Sequence, residues 1–93
     1  MTFTKEKHQE FVIASQQELA AFNKLTVSGA TYTQKSIGKY TSKFVGGNGA
    51  EYMILVSGSY YVMENQDLAV YEISRKGRTL GSFVIFNAQI VSL

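Results

Sequence analysis

Acid–base or metal chemistry in this chain would have to be assembled from very few groups: His8, the only histidine, and the carboxylates Glu51, Glu64, Asp67 and Glu72 of its middle stretch. Cysteine is absent, which removes thiolate nucleophiles, disulfides and every thiolate-held zinc or iron–sulfur site. A zinc ion at His8 would need carboxylates from distant positions, so His8 reads as a polar residue in the first turns of a helix. No serine lies in a Gly-x-Ser-x-Gly elbow, and no histidine is placed to serve one as base. The four carboxylates leave a glycosidase-like or metal-binding pair open, although solvated strand-edge charges are the commoner state. Gly46-Gly47-Asn48-Gly49 could cradle a phosphate with its amides. Phosphate loops, however, continue into Lys-Ser/Thr and a helix, whereas Glu51-Tyr52-Met53 begins a strand, so the glycines read as a hairpin turn. The expectation is a non-enzymatic chain with no cofactor and no metal.

Binding is better represented than catalysis. Every charge from Lys24 to Ala50 is a lysine, every charge from Glu51 to Ser74 is acidic, and every charge from Arg75 to Leu93 is basic. The net charge of +2 hides this sorting, and sorted charge steers partners rather than setting folds. Lys35, Lys39 and Lys43, with Tyr32 and Tyr40 interleaved, form one acid-free stretch; Arg75, Lys76 and Arg78 place three cations at a hairpin tip. On one side of a sheet these residues would make a groove for phosphates or for acidic protein, with the tyrosines adding contact area. The competing reading is that they are solvated, edge-protecting charges. A pI of 8.9 is only mildly basic, and the acidic stretch would repel nucleic acid.

The elements that must position these groups follow from periodicity. Ninety-three residues make one domain, 1–93, able to bury roughly 60–65% of its unfolded surface. From about residue 5 to 24, Phe11, Val12, Ser15, Leu19 and Phe22 recur at three- and four-residue steps, which predicts one long amphipathic helix capped by Thr4. From about 26 to 93 the period is two. Strands are predicted within Thr26–Val45 and at 51–56, 60–63, 68–74, 79–86 and 89–91, with turns at Ser57-Gly58-Ser59, Asn65-Gln66-Asp67 and Lys76-Gly77. The fold class expected is α+β: a long N-terminal helix packed on an antiparallel meander of four to six strands. One helix covers one face, so sheet curvature, part of the Thr26–Val45 segment or a second subunit must close the other, and a homodimer is one of these solutions. The polar first residues contain neither a signal peptide nor a membrane-spanning run, so a soluble, cytoplasmic protein is expected, with no membrane partner.

Two resemblances add to this reading. The order of helix, strand ending Lys43-Phe44-Val45-Gly46-Gly47, and return strand Glu51-Tyr52-Met53-Ile54-Leu55-Val56 resembles the cystatin and monellin layout. Val45 and Gly47 match the cystatin Gln-x-Val-x-Gly hairpin, which implies a protease-inhibiting wedge; Lys43 stands where that pattern has glutamine, and proline and tryptophan are missing altogether. In its brevity, lack of cysteine and clustered charge the chain is also similar to small phage accessory proteins of the anti-CRISPR type. That likeness implies a protein, in the host cytoplasm if phage-encoded, that docks on protein subunits or RNA of a nucleic-acid-handling complex through Lys35, Lys39, Lys43, Arg75, Lys76, Arg78, Tyr32 and Tyr40. The alternatives are a small nucleic-acid-binding module and a cystatin-like inhibitor.

Overall fold

The computed structural model describes residues 14, 15, 17–38 and 41–93. Seven strands dominate them: β1 Lys24–Val27, β2 Ala30–Ile37, β3 Thr41–Gly46, β4 Glu51–Met63, β5 Gln66–Arg75, β6 Arg78–Phe86 and β7 Gln89–Ser92. Each pairs antiparallel with the next, so the sheet order is the chain order. Four connections are two-residue turns in which both residues have positive φ: Ser28-Gly29, Glu64-Asn65, Lys76-Gly77 and Asn87-Ala88. That turn geometry matches the twist of the strands it joins.

Cross-strand register shows which residues share a face. Leu25 faces Tyr32, Phe44 faces Tyr52, Ile54 faces Ile73, Tyr71 faces Phe83 and Ile85 faces Ile90. Leu25, Phe44, Ile54, Ile73, Tyr71, Phe83 and Ile85 are buried, so one face of the sheet is the core. The sheet curls round this face until β1 runs beside β7. There the Ser28 amide and hydroxyl each lie 3.3 Å from Ser92 Oγ, and no ladder joins the two strands. Sheet curvature is thus the solution the chain adopts to enclose its apolar side chains.

The long-helix expectation is corrected by this arrangement. The molecule is mainly antiparallel β with one short described helical stretch, at residues 14, 15 and 17–20; it is not an α+β domain with a helix over 5–24, nor a cystatin layout with a helix laid across a sheet. Positions 5–13 of the expected helix lie outside the described residues. The described part ends early for local reasons. Ala21 and Phe22 donate their amides to the Glu18 and Leu19 carbonyls, a tightened last turn, and the Asn23 carbonyl accepts the Gln34 amide at 2.7 Å. The chain is therefore held as a strand from Lys24, where exposed Lys24 and Thr26 alternate with buried Leu25 and Val27. Leu19, fully buried, joins the core, and Tyr71 donates its hydroxyl to the Ser15 carbonyl at 2.6 Å.

Two expected turns also move. Ser57-Gly58-Ser59 is a bulge inside a continuous β4, with Gly58 at φ +84° and the ladder resuming at Tyr60 opposite Ala69. The β4–β5 turn falls at Glu64-Asn65, so Gln66 and Asp67 already belong to β5. The meander has seven strands rather than four to six because Thr26–Val45 divides into the end of β1, all of β2 and most of β3.

Candidate functional site

A cleft of about 670 Å³ opens on the described surface, within the range of ligand-binding sites. Its floor is set by the ladder. Lys43 faces Met53, Met53 faces Ser74 and Ser74 faces Thr79, so residues from β3, β4, β5 and β6 stand in one row on the sheet's outer face. Met53 and Leu55 supply apolar surface, and Ser74 Oγ lies 3.4 Å from the Met53 carbonyl, to which it donates. The β5–β6 turn forms one rim and brings Arg75, Lys76 and Gly77 to the cleft. Gly77 has φ +78° in that turn, a conformation that side-chain-bearing residues adopt at a cost.

Charge in the cleft is mixed but mainly positive. Lys43, Arg75 and Lys76 line it together with one carboxylate, Glu51. Glu51 accepts a hydrogen bond from Lys35 Nζ across the β2–β4 side of the cleft. That hydrogen bond first, then the lysine's charge and more weakly that of Lys43, hold the Glu51 carboxyl below the usual glutamate range. Glu51 thus ionises more readily than a free glutamate and is paired with Lys35 at the surface. The Arg75 guanidinium carbon lies 5.9 Å from the centre of the Tyr52 ring, within reach of a cation–π contact. Tyr52 meets Tyr32 edge to face at 4.8 Å. Gly46 allows this packing, since a Cβ there would stand 2.9 Å from the Tyr52 ring.

The predicted partner-binding residues divide accordingly. Lys43, Arg75 and Lys76 converge on the cleft, and Lys35 is attached to it through Glu51. Arg78 is exposed opposite Arg75 across the turn. Tyr32 is half-buried against the core, its hydroxyl pKa raised by burial and then by Tyr52, and with Tyr52 it lines a separate hollow of about 370 Å³ instead of this cleft. Lys39 and Tyr40 lie outside the described residues. Met53, Leu55, Ser74 and Thr79 carry no signal in the sequence, and Glu51 stands out there only as a carboxylate of the acidic stretch; register, which periodicity does not provide, sets them beside Lys43.

At the opposite end of the molecule a smaller hollow of about 170 Å³ lies between the helical residues and β5 and holds Glu18 and Asp67. Partial burial raises the Glu18 pKa, against a smaller lowering by the Tyr71 hydroxyl. Among the described residues no group of three or more His, Asp, Glu or Cys could hold a metal ion, and no helix is long and apolar enough to cross a membrane. Fold and cleft together define a small curled β-meander with a cationic, apolar-floored cleft at one end. No family model, curated protein or solved structure matches this chain.

Proposed function

We propose that this chain is a non-enzymatic docking protein whose cleft takes an acidic, apolar-anchored segment of another protein and, by occupying it, blocks what that partner otherwise binds. The observation that carries this reading is the convergence of Lys43, Arg75 and Lys76 round the Met53 and Leu55 floor. An apolar floor under a cationic rim suits a peptide with both carboxylates and an apolar side chain. Phosphate fits less well, because the cations surround an apolar floor that a sugar-phosphate backbone would leave unfilled, and Tyr32 does not line this cleft. Catalysis has little to work with: the cleft's one carboxylate is held by Lys35. The anti-CRISPR-type inhibitor is one case of this reading, in which the acidic segment belongs to a protein subunit of a nucleic-acid-handling complex.

The test is a titration with a synthetic peptide of alternating Glu and Leu, beside single-stranded RNA, at two salt concentrations. Peptide binding that weakens about tenfold or more in Lys43→Glu/Lys76→Glu supports the reading. RNA binding that exceeds peptide binding and falls steeply with salt would replace it with the nucleic-acid module. Failure of both ligands sinks it.

A further inference from the structure

The strand that opens in the cleft also leads away from it. β4 begins at Glu51, in the cleft, and runs thirteen residues to Met63. At about 3.3 Å per residue that approaches the 41 Å long axis of the molecule. β3 pairs with β4 only as far as Leu55, and β6 pairs with β5 only from Tyr71, so the two middle strands continue past both ladders as a two-stranded ribbon. Its far end holds exposed Tyr61 and Val62, then exposed Glu64 at the turn, while Asp67 turns one carboxylate oxygen into the hollow under the helical residues. No lysine or arginine occurs from Glu51 to Ser74. The ribbon end thus presents the Glu64 carboxylate beside apolar anchors in a segment free of cations, the chemistry proposed for the cleft's ligand, and a long strand holds it away from its own cleft.

We infer that the occupant of the cleft is the β4–β5 ribbon tip of a second copy of this chain, so that copies associate head to tail. This inference rests on the docking reading above and names its partner. Lys43 and Lys76 of one copy then face Glu64 of the next, with Tyr61 or Val62 on the Met53 floor. Such a contact is heterologous: a dimer still has one free cleft and one free tip, so association continues past two copies, into an open chain or a larger ring. Opposite charge on the two surfaces sets the order of copies and makes the contact sensitive to salt.

Sedimentation across a wide concentration range at low and high salt tests this. Species larger than a dimer should grow with concentration and shrink with salt. Glu64→Lys alone and Lys76→Glu alone should each weaken association about tenfold, and mixing the two variants should restore it, because the reversed tip meets the reversed cleft. Circular dichroism confirms that each variant is folded. A peptide spanning residues 60–67 should bind the unaltered protein and shorten the assemblies, a measurement that needs no variant. A single species at all concentrations, a dimer that salt strengthens, or no restoration on mixing overturns the inference. If self-association is absent while the Glu-Leu peptide still binds through Lys76, the cleft reading stands and the second copy is the wrong partner. If that peptide fails too, both fall.

Discussion

The Tyr71 side chain ties together parts of the molecule that lie far apart in sequence. Its ring stacks on Phe83 at 5.3 Å and its hydroxyl, buried, donates to the Ser15 carbonyl 56 positions away. Tyr71→Phe keeps the stack and removes this buried hydrogen bond, so it should destabilise by about 1–2 kcal/mol, read from the urea midpoint. Ser42 is the opposite case. Its hydroxyl is fully buried with no hydrogen-bond partner among the described residues, so Ser42→Ala should leave stability unchanged or raise it by up to about 1 kcal/mol. Glu18 gives a pH dependence whose sign differs from the usual carboxylate. Its folded pKa is raised, so the protonated form is the one folding favours: the contribution is complete below the ordinary glutamate range and is lost as pH rises through the raised value. Glu18→Gln should match the unaltered protein in acid and exceed it at neutral pH, which denaturation at two pH values measures. Glu51 runs the other way. Its pKa is lowered by Lys35, so what that surface pair contributes is present at neutral pH and lost as pH falls through the lowered value.

Among the elements, β5, β6 and β7 were the most legible, within two residues of the periodicity at each end, and the helix the least. Lys76-Gly77 was predicted as a tight turn because a glycine at the second position fits positive φ, and it forms one. Asn87-Ala88 and Glu64-Asn65 form the same kind of turn with no glycine, a choice imposed by pairing on both sides. Ala88, at φ +60°, carries the cost of a left-handed residue, so Ala88→Gly should stabilise the domain by up to about 1 kcal/mol in thermal denaturation. The helix was misjudged in extent because Leu19 and Phe22 fit a helical stripe equally well whether the chain continues as a helix or turns into a strand. The hydrogen bond from Gln34 to Asn23 decides this, and it spans positions no local window compares. Ser57-Gly58-Ser59 failed for a related reason, since the same three residues suit a turn or a bulge, and only the Tyr60–Ala69 pairing beyond them distinguishes the two.

For the molecule as a whole, the sequence carried the sorting of charge but not its placement. Lys43 and Arg75 are 32 positions apart, and the β3–β4–β5 register makes them neighbours; the same register put Glu51 among the cations, where block composition had assigned it to an acidic region. The core that holds this arrangement is continuous from Leu25 to Ile85, with Phe44 fully buried within it. Phe44→Ala should cost about 3–5 kcal/mol and abolish the cooperative transition if the domain is only marginally stable. The seam between β1 and β7 has a further consequence, for the order in which the molecule forms. Every ladder joins strands adjacent in sequence, so the meander can zip from one hairpin to the next with small loop-closure losses. The Ser28–Ser92 contact, 64 positions apart, needs every earlier hairpin to be in place. Ser92→Ala should accordingly speed unfolding and leave the folding rate unchanged, marking closure of the seam as an event after the rate-limiting barrier.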